Sequence, residues 1–283
     1  MVKQTNDIQI DDRDWAALSL GDRIRQIELE GYLIVPDLLD EDHLARLKTQ
    51  AATWETGPRD YSPHQRGRRD VQWEGGPATD LIAHEPTLEL LRAVFGDQIL
   101  FLSYGYDRSE PGTPGISLHT DGQPYGSKIF GLNGSCPATI RVLYYLDDLT
   151  LDVSPFRVVP RSHLSLHAQA NPYSRYESHP EEVVVPCRAG SALFLNHRVF
   201  HGTLPNTGAK ERSMLAIAYR PAWAGPIAEV EAWDEQRVAA LPERVRPLFG
   251  DPNTREWDFD ATNKPDDMGR GERGMAPSRW EQV

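Results

Sequence analysis

Beyond residue 98 the apolar positions fall into short runs of strand length. The runs 99–106, 117–121, 139–146, 156–159, 182–185, 192–196 and 213–219 are each predicted to be strands, since continuous or alternating apolar residues bounded by turn formers suit a pleated, buried surface. Glu110-Pro111-Gly112, Asn133-Gly134-Ser135, Arg188-Ala189-Gly190 and Asn206-Thr207-Gly208 punctuate them. No segment of helical period intervenes. The pattern therefore predicts a mainly β fold with flanking helices, an antiparallel barrel or jelly roll rather than alternating βαβ units.

The first 98 residues read differently, as helices framing one short strand. Leu18, Leu20, Ile24 and Ile27 recur at helical spacing over 15–30, and Leu44, Leu47 and Ala51 form a stripe over 41–54 with Asp40 as a candidate cap. Between them Tyr32-Leu33-Ile34-Val35 is a strand stopped by Pro36. Residues 55–78, rich in Gly, Pro, Arg and Asp, are expected to be an extended loop, followed by a short helix over 87–95 closed by Gly96. Residues 162–181 read as a long connection over the barrel mouth. The stretch 229–249 holds helical segments interrupted by Pro242 and Pro247, and 250–283 is polar with little periodicity. One domain of 283 residues is expected, divided into a frame (1–98), a jelly-roll core (99–223) and a C-terminal helix and arm (224–283).

Charge and cysteine content narrow the partners. A net charge of −12 disfavours nucleic acid and anionic membrane surfaces, and the run Arg66-Gly67-Arg68-Arg69 is too short to reverse it. Two cysteines, Cys136 and Cys187, make no disulfide framework. The polar N-terminus does not read as a signal peptide, and the apolar runs are far shorter than a membrane span, so a soluble cytoplasmic protein is expected.

The candidate chemistry lies in Leu118-His119-Thr120-Asp121-Gly122 and His201-Gly202-Thr203. In a strand, residues i and i+2 share a face, so His119 and Asp121 can grip one ion. His201 follows 82 residues later, a separation that a barrel can close. Two imidazoles and one carboxylate make a facial set that leaves adjacent positions open on Fe(II). His197 competes with His201, but no glutamate follows it and its flanks suit a strand rather than a helical metal motif. Eleven positions past His201, Arg212 opens the apolar strand 213–219. An inward arginine needs an anion to offset its desolvation, and the distal carboxylate of 2-oxoglutarate would serve. Arg141 shares a strand face with Leu143 and Tyr145; it is a candidate substrate contact beside Tyr104, Tyr106, Gln123, Tyr125 and Trp223.

These blocks carry a resemblance. Glu30-Gly31-Tyr32-Leu33-Ile34-Val35-Pro36-Asp37-Leu38-Leu39, His119-Thr120-Asp121, Val158-Val159-Pro160-Arg161-Ser162-His163, and His201-Gly202-Thr203 with Asn206 and Arg212 occur in the order of the phytanoyl-CoA dioxygenase family, which the chain resembles from about residue 28 to 223. The resemblance implies a double-stranded β-helix (cupin-like) core. It also implies Fe(II) on His119, Asp121 and His201, 2-oxoglutarate with Arg212 and Thr203 on its far carboxylate, and O2 as oxidant. Oxidation of a small molecule, by default hydroxylation, would release succinate and CO2. The chain departs from the family in having Pro160-Arg161-Ser162-His163 for Pro-Gly-Ser-His, and Asp152-Val153-Ser154-Pro155 for a Gly-containing turn. The alternatives are a jelly-roll protein that binds a metal or ligand without turnover, and an iron dioxygenase that does not use 2-oxoglutarate.

Overall fold

The computed structural model describes residues 9–59, 62–119, 137–164, 179–222, 224 and 232–250. After β1 (Gln9–Ile10), helix α1 (Leu20–Glu30) starts at Ser19, whose hydroxyl accepts from the Asp22 amide at 3.2 Å. It stops at Gly31, which takes φ 86° and turns the chain into β2 (Tyr32–Val35). The expected single helix over 15–30 is thus two pieces, since Trp15–Ala17 forms only a 3-10 turn. Asp40 caps α2 (Glu41–Ala51) through the His43 amide at 2.7 Å, with Glu41 and Asp42 placed where the helix dipole favours acids.

The segment expected to be a loop contains a hairpin. β3 (Gly57–Arg59) pairs with β4 (Ser62–Arg69), and β4 pairs in turn with β5 (Ile99–Ser109). A strand so polar shows no apolar alternation. It is held by the ladder and by ion pairs on two of its three arginines, Arg68 with Glu74 and Arg66 with Glu110 at 3.9 Å. Helices α3 (Gly76–Leu81) and α4 (Glu85–Phe95) precede β5, and α4 begins two residues earlier than its apolar period suggested.

From β5 onward the sequence expectation holds closely. β6 (Ile116–His119), β7 (Ile140–Tyr145), β8 (Phe156–Val158), β9 (Val183–Val185), β10 (Ala192–Asn196), β11 (His201–Thr203) and β12 (Arg212–Pro221) follow, then α5 (Glu235–Ala239) and a 3-10 turn at Arg246–Phe249. They form two sheets, β2-β10-β7-β12-β5-β4-β3 and β1-β9-β8-β11-β6. This is a jelly roll, and the N-terminal frame is more than helical, because it supplies β1 to the small sheet and β2, β3 and β4 to the large one.

Register divides the large sheet into two faces. Directly opposed residues share a face, so Arg212, Ser109 and Gln65 lie together, as do Ala218, Arg141 and Leu195. The other face carries Tyr104, Tyr106, Tyr144, Leu215 and Ile217 and is covered by the helices. There the Tyr144 hydroxyl meets Thr87 at 2.8 Å, Tyr219 donates to the Ile82 carbonyl at 3.0 Å, and the Tyr106 ring lies 5.3 Å from that of Trp54. Helices on one side leave the Arg212 face for the interior between the sheets.

Candidate metal and carboxylate site

Two strands of the small sheet build the centre. β6 and β11 run antiparallel with His119 directly opposite His201, and the two rings stand 4.4 Å apart between centroids at 45°. Both are buried. What brings these backbones together is a glycine: Gly115 has φ 86°, and a Cβ there would stand 2.6 Å from the Thr203 carbonyl oxygen and 2.9 Å from the Leu204 carbonyl carbon. Only glycine tolerates both the left-handed backbone and that approach.

The tautomer of His201 follows from its partner. Its Nδ1 lies 3.0 Å from the Val199 carbonyl oxygen, which can only accept, so Nδ1 carries the proton and Nε2 presents a lone pair. A backbone carbonyl on the far nitrogen is the usual way of aiming a metal-binding imidazole. Phe156, opposite Thr203, lies near-parallel to the His201 ring at 6.0 Å and fixes its plane. Among the described residues no further imidazole, thiol or carboxylate joins the pair into a three-ligand group; Asp121, like Gln123, Tyr125 and Trp223 and most of the 162–181 connection, lies outside the described residues.

Thr203, two residues beyond His201, faces the same way, and its Oγ1 is buried with no hydrogen-bond partner. Arg212 is 0% exposed. Its Nη2 donates to the Ser109 hydroxyl at 2.9 Å, whereas Nε and Nη1 have no partner and no carboxylate pairs with it among the described residues. The neighbouring groups that might have supplied an anion are neutral. Burial pushes the Cys187 thiol up to about 12 and the Tyr145 phenol well above its ordinary value, and in both cases outweighs the attraction of Arg212. Tyr145 offers only its ring, 5.9 Å from the guanidinium carbon. A buried guanidinium with two unpartnered nitrogens is suited to receive an anionic group.

The other expected residues sort by face. Arg141 lies on the Arg212 face, half-buried, but opposite Ala218, six residues along β12 and so ~20 Å from Arg212. Tyr104 and Tyr106 do not line the site. They occupy the helix-covered face, Tyr106 donating to the Ser213 hydroxyl at 3.1 Å and Tyr104 buried near Tyr144 and Tyr219. His197 is buried with Nδ1 donating to the Thr139 carbonyl at 3.1 Å, and His163 joins the Glu28 carbonyl at 2.8 Å; both act as ties between segments. Ser109 and Gln65 were not anticipated. Gln65 sits in the stretch read as a loop, and neither has a sequence signal beyond its strand position.

The sequence matches the family model described as Phytanoyl-CoA dioxygenase (PhyH) over residues 27–214. The chain belongs to the phytanoyl-CoA dioxygenase family. It is accordingly an Fe(II)- and 2-oxoglutarate-dependent oxygenase. Similar solved structures share the fold at low identity. The α-ketoglutarate-dependent epimerase SnoN from nogalamycin biosynthesis superposes with a TM-score of 0.59 at 19% identity, over 72% of this chain and 81% of its own. HygX from Streptomyces hygroscopicus, crystallised with nickel and 2-oxoglutarate, gives 0.59 at 18% identity over 78% and 94%. The carbocyclase SnoK gives 0.58 at 20% over 75% and 87%. No curated protein matches the sequence. Within this phytanoyl-CoA dioxygenase relative, no helix among the described residues is long and apolar enough to cross a membrane.

The two departures from the family pattern both fall where the backbone is left-handed. Arg161 stands at φ 65° in the family's Pro-Gly-Ser-His position, and Ser154 at φ 47° in the turn before it. The chain keeps the loop path that glycine permits and accepts the Cβ strain.

Proposed function

We propose that His119, Asp121 and His201 hold the iron, that Arg212 and Thr203 hold the distal carboxylate of 2-oxoglutarate, and that the enzyme oxidises a small organic metabolite, with hydroxylation as the default outcome. The observation carrying this reading is the fully buried Arg212, whose Nε and Nη1 lack any partner. A guanidinium kept dry without an anion is costly, and the arrangement is stable in function only when a carboxylate arrives. A jelly roll that merely stored a metal would have no use for it.

Iron and 2-oxoglutarate, when bound, supply the oxidising chemistry, in which O2 is consumed and succinate and CO2 leave. The chain contributes positions. The Val199 carbonyl holds His201 in its ligating tautomer, Arg212 and Thr203 anchor one end of the cosubstrate, and the interior excludes water from that end. Toward the other end of the same face Ser103 is exposed while Gly105 and Arg141 are partly so. Small side chains at Ser103 and Gly105 leave room there for a substrate, with Arg141 its candidate polar contact. Two structures of this fold, SnoN and SnoK, come from nogalamycin biosynthesis, and HygX was crystallised with hygromycin B, which favours a natural-product or amino-acid-like substrate over an acyl-CoA thioester.

The test is an anaerobic titration of the Fe(II)-loaded protein with 2-oxoglutarate, followed by a succinate-release screen over metabolite pools read by mass spectrometry. The expected results are a weak visible charge-transfer band and a product heavier by one oxygen. A protein that binds Fe(II) tightly yet shows no such band at millimolar 2-oxoglutarate would contradict the reading.

A further inference from the structure

Arg212 does not stand alone on its sheet face. The ladder β4-β5-β12 places Gln65, Ser109 and Arg212 directly opposite one another, so three side chains from three strands form one transverse row. All three are at most 1% exposed. The backbone of the middle residue is pinned as well, since the Asn206 amide donates to the Ser109 carbonyl at 3.1 Å.

Counting protons fixes the direction of the row. Arg212 has only donors, so its Nη2–H must be accepted by the Ser109 oxygen. The one hydroxyl proton of Ser109 goes to Gln65 Oε1, with which it makes a short contact. Gln65 therefore presents its carbonyl oxygen to Ser109, and its Nε2 amide is left buried with no partner. The orientation of the serine lone pairs, and with it the pose of the guanidinium, depends on an acceptor two strands away. A buried amide that leaves its own two donors idle has a cost in folding; here the row gains an arginine held in one pose with Nε and Nη1 unspent.

We propose that Gln65 is a positioning residue for cosubstrate binding. Through Ser109 it holds Arg212 in the pose that receives the far carboxylate, and it must be neutral to do so. The inference rests on the assignment of Arg212 to 2-oxoglutarate. Neutrality is the discriminating part. A carboxylate in place of the amide would still accept the Ser109 proton, but it would bring a negative charge into a dry row one residue from an unpaired guanidinium. It would then satisfy Arg212 internally and compete with the ligand.

Two full-length variants, Gln65→Leu and Gln65→Glu, test this against wild type by three measurements. These are anaerobic titration of 2-oxoglutarate into the Fe(II)-loaded protein, Fe(II) affinity, and the melting temperature without metal or 2-oxoglutarate. Gln65→Leu is expected to weaken 2-oxoglutarate binding about 5- to 20-fold with Fe(II) affinity unchanged within twofold, as loss of one indirect hydrogen bond implies. Gln65→Glu is expected to weaken it at least 100-fold while the ligand-free protein melts at or above the wild-type temperature. Opposite signs for stability and affinity are the signature of an internal competitor, which a merely structural glutamine would not give. If wild type binds 2-oxoglutarate and both variants bind it equally well, the role of Gln65 is overturned and that of Arg212 stands. If both variants lose Fe(II) and 2-oxoglutarate affinity in parallel and melt lower, Gln65 is structural only. A wild-type protein that binds Fe(II) but not 2-oxoglutarate removes the assignment of Arg212 itself.

Discussion

Replacing Arg212 by methionine should raise the stability of the empty protein and abolish its response to 2-oxoglutarate. The side chain is 0% exposed, makes one neutral hydrogen bond to Ser109, and is paired with no carboxylate among the described residues. Methionine keeps most of the length and apolar stem and removes the charge. Exchanges of buried ionic groups for apolar ones of similar volume are neutral to stabilising by ~1–4 kcal/mol; allowing for the Ser109 hydroxyl left with one donor fewer, a gain of ~1–2 kcal/mol remains. For a chain of this size that is about 2–8 °C in Tm. Addition of 2-oxoglutarate at a hundred times its Kd should stabilise the Fe(II)-loaded wild type by ~2.7 kcal/mol, or about 5–11 °C, and leave the variant where it was. The order of the two proteins in differential scanning fluorimetry therefore reverses on adding ligand, under anaerobic conditions that prevent turnover. The reasoning is refuted if Arg212→Met melts several degrees below wild type without ligand, because the guanidinium would then have a structural partner and its idle nitrogens would signify nothing.

Thr203→Val removes the unpartnered hydroxyl at nearly constant volume; 2-oxoglutarate affinity should fall about 10- to 150-fold, one hydrogen bond to a charged group, with Fe(II) affinity unchanged by titration. Arg161→Gly relieves a left-handed Cβ and gives up only a loose ion pair to Glu30 at 3.9 Å on a largely exposed arginine, so urea unfolding should show a gain of ~0.5–1 kcal/mol; a loss would mean the loop is not strained. Burial, and then the neighbouring His43, lower the His84 pKa from 6.5 to about 4. Between those values the unfolded chain binds the extra proton and the native state does not, so stability is full above pH 6.5 and is lost as pH falls toward 4, by ~2 kcal/mol after discounting for the ring's partial exposure. Urea midpoints at pH 7 and 5 should differ by less in His84→Asn, which keeps a residue suited to capping α4; an undiminished difference would assign the effect elsewhere.

The sequence was legible where burial dominates. β10 is buried at all five positions, and its limits coincide with the apolar run Ala192–Asn196. β4 was illegible for the converse reason: two of its arginines, Arg66 and Arg68, are paired with Glu110 and Glu74, groups that no periodicity announces. The two histidines stood out because iron chemistry calls for particular residue types at particular spacings, and the register sets them opposite one another. The substrate wall did not. Whether Tyr104 faces the cavity or the helices depends on the strand parity fixed by pairing with β12, and an alternating pattern looks the same from either side. Arg141 shows the complement, since its place beside Leu143 and Tyr145 follows from alternation alone, whereas its ~20 Å separation from Arg212 needed the register.

Gly115 gives the centre a property that its ligands do not possess. The approach of the strands that carry His119 and His201 is set in part by a contact of main chain with main chain, the Gly115 Cα against the Thr203 and Leu204 peptide. A backbone contact of this kind does not depend on which side chains line the rest of the interior. A single methyl group at Gly115 would force the two strands apart and so disturb the pairing of the two imidazoles.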